Sequence, residues 1–147
     1  MLLNLLVGLP MVLLCLILQV AVMGFCVRYY FQHVARLGRA QLMSGGLKAL
    51  FVLMILLMIG NFFQIFVWGL LFVQLGEFTD LYDAVFHSGV NFTSLGYGDH
   101  VMSKQWKLLG PLEAGNGILM FAMTASMIMV VLQDMIKTSV KYPGSNE

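Results

Sequence analysis

The residues Thr93-Ser94-Leu95-Gly96-Tyr97-Gly98-Asp99 carry the chemistry most open to reading in this chain. Glycines at alternate positions, Gly96 and Gly98, release the backbone from the φ limits that a Cβ imposes. A backbone so freed can aim consecutive carbonyl oxygens at one axis, and a cage of such oxygens can replace the water shell of a cation. The side chains of Leu95 and Tyr97 then point away from the axis and wedge the strand against its surroundings. The Ser94 hydroxyl adds a ligand at the innermost position. A glycine-rich turn after a short helix is the competing reading. It explains neither the Thr-Ser pair nor the long apolar segments on both sides.

Those segments set the class. Of 147 residues, 60% are hydrophobic and 10% charged, which excludes an ordinary soluble domain. Charge-free runs cover residues 1–27, 49–76 and 114–133. About 20 helical residues cross roughly 30 Å of hydrocarbon, so each run is long enough to span. Thr79–Thr93 reads as a helix reaching only about 20 Å, too short to cross. It must enter the membrane and return through residues 94–98. Thr79 or Asp80 suits its N-cap, and Asp80 and Asp83 suit the positive end of its dipole. Its other end, near Thr93, directs partial negative charge toward the returning strand. Irregular backbone survives at membrane depth only when buried in protein or lining a water-filled cavity. Residues 94–98 therefore need partner chains around them.

Charge placement gives an orientation. The connection 28–48 holds Arg28, Arg36, Arg39 and Lys48 with no acid, and the positive-inside rule assigns it to the cytoplasm. Residues 77–113 carry Glu77, Asp80, Asp83, Asp99 and Glu113 against Lys104 and Lys107, and face outside. The N-terminus is then outside and the short tail 137–147 cytoplasmic. Tyr29, Tyr30 and Phe31 fit an inner aromatic belt, Trp68 and Trp106 an outer one. The first run has no basic residue before its apolar core and exceeds a leader's usual length, so it reads as a retained helix with Pro10 as a kink site. Cys15 and Cys26, eleven positions apart, share nearly one helical face and suit apolar packing. Asn61 and Gln64, at i and i+3, suit hydrogen bonds between helices.

From about Lys48 to Gln133 the chain resembles the two-helix-plus-pore-loop potassium channels, and more closely the small bacterial channels with an extra N-terminal helix. The resemblance rests on Ala84-Val85-Phe86-His87-Ser88, the stretch Thr93–Asp99, Trp106, Leu109-Gly110-Pro111-Leu112-Glu113-Ala114 and Asn116-Gly117. It implies an all-α membrane protein with three transmembrane helices, a re-entrant pore helix and a selectivity filter. The pore domain would cover 49–136, with outer helix 49–76, pore helix 79–93, filter 94–98 and inner helix 111–136. The resemblance further implies a homotetramer in the plasma (inner) membrane, with one central pore, passive K⁺ flux and no cofactor. Thr93, Ser94, Leu95, Gly96, Tyr97 and Gly98 would form the filter, with Asp99 and His100 at its outer mouth. Phe86 and His87 stand where the best-known members carry two tryptophans, and Val90 where some carry glutamate, so Asp99 lacks its familiar partners. Gly115 and Gly117 permit close packing or, at Gly117, a gating hinge. Ala122, Thr124 and Ala125 are candidate pore-lining positions.

Absent features narrow the class further. No run contains the regularly spaced arginines of a voltage sensor. The thirteen residues after Asp134 are too few for a ligand-binding domain. No metal cluster, nucleophile triad or Walker-type loop occurs, so no enzymatic activity, cofactor or nucleic-acid partner is expected. The alternatives are a weakly selective cation channel and a non-conducting accessory membrane subunit.

Overall fold

Hydrophobic runs of this length have one way to satisfy their backbone in lipid, the helix. In the computed structural model, which describes residues 1–35 and 42–141, they form it. Helix α1 spans Leu2–Val34, α2 Leu42–Gln74, α3 Leu81–Phe92 and α4 Leu109–Lys141. Three of them, α1, α2 and α4, are long and apolar enough to cross a membrane. Large apolar side chains cover their outer faces: Leu13 and Ile17 on α1, Phe51 and Phe62 on α2, Ile118 and Val130 on α4 are all exposed. Such faces suit hydrocarbon rather than water. The protein is a multi-pass membrane protein.

Each long helix turns a narrower stripe inward. On α1 the buried positions are Asn4, Gly8, Met11, Cys15, Gln19, Cys26 and Tyr30, at spacings close to one or two helical turns. Cys15 and Cys26 are free thiols packed in the core, as their shared face suggested. The core divides into two apolar clusters. One gathers Met11, Cys15, Trp68, Phe72, Phe92 and Leu109; the other gathers Cys26, Tyr30, Leu53, Leu57, Met127 and Val131. On all three helices the residues between these clusters form a polar layer. Gln19 Nε2 and Asn61 Nδ2 both donate to Thr124 Oγ1, at 3.0 and 3.2 Å, and Gln64 Nε2 donates to Gln19 Oε1 at 2.8 Å. Asn61 and Gln64 thus bridge helices as expected. The Thr124 hydroxyl faces α1 and α2, while Ala122 and Ala125 are exposed on the surface of the single chain.

Hydrogen bonds pin both ends of the bundle. Asn4 Nδ2 donates to the Gln105 carbonyl at 2.6 Å, so the start of α1 shares an end with the loop that follows the glycine-rich strand. At the opposite end the Tyr30 hydroxyl donates to Asp134 Oδ2 at 3.0 Å. Helix α1 continues past Val27 through Arg28 to Val34, and α4 runs beyond residue 136 to Lys141. Arg36, Arg39 and the end of the tail lie outside the described residues. Trp68 is wholly buried and Tyr30 nearly so, which corrects their assignment to interfacial belts.

Candidate functional site

The short helix α3 sets the site. Asp80 occupies its N-cap position with extended backbone but makes no side-chain cap bond, and Asp83 lies in its first turn. Ala84, Ser88 and Phe92, at i, i+4 and i+8, are buried and hold the helix against α2 and α4. Its last turn is closed by the residues that follow. Thr93 Oγ1 donates to the Gly89 carbonyl at 2.6 Å, and the Ser94 amide donates to the Asn91 carbonyl at 2.8 Å. The Leu95 and Gly96 amides converge on the Val90 carbonyl at 2.9 and 3.4 Å. Carbonyls that a helix end leaves orphaned are thereby satisfied, and the strand is anchored where it departs.

Beyond that anchor the backbone alternates in hand. Ser94, Gly96 and Gly98 have φ of +60°, +61° and +76°, while Leu95 and Tyr97 do not. Alternating left- and right-handed residues collect successive N–H groups on one side of the chain, and the carbonyls therefore on the other. Among the described residues, no hydrogen bond ends on a carbonyl of residues 94–98. The strand thus offers a row of unpartnered oxygens, the hard ligands a small cation takes. Leu95 is 59% exposed and Tyr97 63%, large apolar groups that the single chain leaves uncovered.

Behind the strand lies a cavity of about 520 Å³, lined by Glu77, Phe78, His87, Tyr97, Asp99 and His100 among others. His87 is half-buried and packs on Phe72 and Phe78 at 5.7 and 5.0 Å. Its Nε2 pairs with the Asn91 amide at 3.0 Å. Burial holds the His87 imidazole below the ordinary histidine range; the His100 charge pushes it the same way, against a smaller opposite pull from Glu77. His100 is exposed, with its ring 4.4 Å from Phe78 and 5.9 Å from His87. Glu77 ties the loops on either side of α3 together: Ser103 donates to it through both its backbone N–H and its hydroxyl, at 2.7 and 2.6 Å.

Two α4 residues back the site. Gly117 sits under the end of α3, where an added Cβ would overlap the Phe92 carbonyl, and α4 stays helical through it. The position is explained by close approach. Glu113, which the sequence groups with the acids of residues 77–113, is fully buried, with Oε1 2.5 Å from Ser88 Oγ. Sequence reasoning missed both partners. The available signal was an acid set one turn inside an apolar helix, with a small hydroxyl on the short helix beside it. Among the described residues no three His, Cys, Asp or Glu side chains cluster as metal ligands.

A family model described as an ion channel matches residues 51–134, from α2 through α3 and the strand into α4, and leaves α1 outside. No curated protein and no solved structure matches the chain. The match covers more than half of the sequence, and the chain belongs to this family, which is of the two-transmembrane potassium-channel type.

Proposed function

We propose that this member of the ion-channel family is a potassium-selective channel, formed by four copies around one axis. Residues 94–98 of each copy supply carbonyl oxygens, and Ser94 its hydroxyl, to hold dehydrated K⁺ in single file. The observation that carries the reading is the backbone alternation at Ser94, Gly96 and Gly98 together with the unpartnered carbonyls between them. One chain offers one strand, and a cage needs several; a closed homotetramer supplies them and covers Leu95 and Tyr97. The C-terminal end of α3 adds partial negative charge beside the ion path. Helices α1, α2 and α4 cross the plasma (inner) membrane with the N-terminus outside and the tail cytoplasmic. Flux is passive, K⁺ is the permeant ligand, and no cofactor or catalytic step is involved.

Liposome reconstitution with a K⁺ gradient tests this. Wild-type protein should release K⁺. In Gly96→Ala the new Cβ is strained at φ +61°, at a cost of about 1–2 kcal/mol, and the peptide planes on either side turn away. Flux should be lost. Normal K⁺ flux in Gly96→Ala would refute the filter assignment. Equal Na⁺ flux would indicate a weakly selective cation channel, and no flux an accessory subunit.

A further inference from the structure

The fully buried Glu113 sits in a hydrogen-bond chain whose donors can be counted. Ser88 Oγ lies 2.5 Å from Glu113 Oε1 on α4 and 2.8 Å from the Ile65 carbonyl on α2. A serine hydroxyl has one proton to give. The Ile65 carbonyl can only accept, and so can an ionised carboxylate. With Glu113 ionised, one of the two contacts would set oxygen against oxygen with no proton between them. A carboxylic acid removes the conflict. Glu113 then donates to Ser88 Oγ, and Ser88 donates to the Ile65 carbonyl.

The surroundings agree with that count. Among the described residues Glu113 Oε2 has no hydrogen-bond partner, and neither oxygen has a cationic one. From α1 the group nearest in kind is the Cys15 thiol, whose neighbours are Asn116 and Trp68. From α3 come Ser88, Asn91, whose side chain also reaches the Glu113 carboxyl, and, at one remove, His87, whose ring is paired with Asn91. Helix α2 has no ionisable side chain beyond Lys48, far along the helix, and presents Trp68. On α4 itself Asn116 leaves both amide atoms unpartnered in the same buried region. A lone carboxylate in such a place would be costly.

From this donor count we propose that Glu113 carries a proton in the folded protein, and that the chain Glu113–Ser88–Ile65 is a proton-dependent clamp fixing the short helix between α4 and α2. Glu113 is a positioning residue. Ser88 precedes by two and three positions the Val90 and Asn91 carbonyls that anchor Ser94, Leu95 and Gly96. Opening the clamp frees the helix end from which the strand departs. The effect on conduction rests on the channel reading; the proton does not.

Infrared spectroscopy of the reconstituted full chain reads the proton directly. Wild-type protein should show the C=O stretch of a protonated carboxyl, and Glu113→Gln should lack it. The glutamine still offers Ser88 an N–H donor, so its K⁺ flux should match wild type and stay flat from about pH 6 to about pH 9. Wild-type flux should fall at the alkaline end as Glu113 ionises, and Glu113→Ala, with no donor, should lose about tenfold. Absence of the protonated band in wild type, or its survival in Glu113→Gln, overturns the proposal. So does an identical alkaline decline in Glu113→Gln. A band that behaves as expected in a protein that passes no K⁺ upholds the proton and refutes the channel reading instead.

Discussion

Replacing Gly117 by alanine probes how α4 seats the short helix. A Cβ built on Gly117 overlaps the Phe92 carbonyl oxygen and stands 2.7 Å from its carbonyl carbon and 3.0 Å from its Cα. All three are backbone atoms of the residue that ends α3, so no side-chain tip can swing aside. Alanine gains about 1 kcal/mol over glycine in helix propensity. Overpacking costs roughly 1–3 kcal/mol, and a backbone obstacle belongs at the upper end. The net loss is about 1–2 kcal/mol, which at the roughly 2–4 °C per kcal/mol of a chain near 150 residues lowers the melting temperature by roughly 2–8 °C. The same displacement shifts Thr93 and Ser94, so K⁺ flux falls as well. Gly24→Ala is the control, because nothing lies within 4 Å of its added Cβ. Thermal melts followed by circular dichroism in micelles, with flux from the same preparations, compare the two. If Gly117→Ala melts at or above wild type, or together with Gly24→Ala, the packing argument is wrong.

Three further outcomes follow from named contacts. Because burial, and then the His100 charge, hold His87 below the ordinary range, the folded state keeps it neutral. Its contribution is complete above about pH 6.5 and is lost as pH falls below that value. Conductance should therefore drop between pH of about 8 and about 5.5, and the drop should shrink in His87→Gln; an unchanged response in that variant rules His87 out as the sensor. Glu77→Ala removes both bonds to Ser103 at a half-exposed site, a loss of about 1 kcal/mol. Hydrogen exchange at the Ser103 amide should quicken, and unaltered exchange would show that the loops are held otherwise. Gln19→Leu removes a donor to Thr124 and the acceptor of Gln64, loosening α1 by roughly 1–2 kcal/mol. Cysteine crosslinking between α1 and α4 at the level of this layer should lose efficiency; full efficiency would deny the polar layer a docking role.

The sequence made the three long helices legible because a charge-free run of such length can satisfy its backbone in lipid only as a helix. Their ends were less legible. Arg28 does not stop α1, since a charged side chain can reach the membrane surface from a helix that continues. In the strand, the positive φ at Gly96 and Gly98 was readable from residue type. The same conformation at Ser94 was not, because serine gives no sign of it. Burial was harder still. Trp68 reads as an interfacial anchor and Glu113 as an outer-loop acid until the neighbouring helices are in place. Hydropathy reports that a helix is apolar, but when nearly every face is apolar it does not say which face meets protein. Thr124 illustrates this: its place opposite Gln19 and Asn61 depends on how three helices rotate against one another.

The central claim is K⁺ conduction through residues 94–98, and the reversal potential tests it most directly. Reconstituted wild-type protein, with K⁺ at unequal concentrations across a planar bilayer and Na⁺ opposing it, should pass a current that reverses close to the K⁺ equilibrium potential. A current that does not distinguish K⁺ from Na⁺, or the absence of any current from correctly inserted protein, would contradict the account.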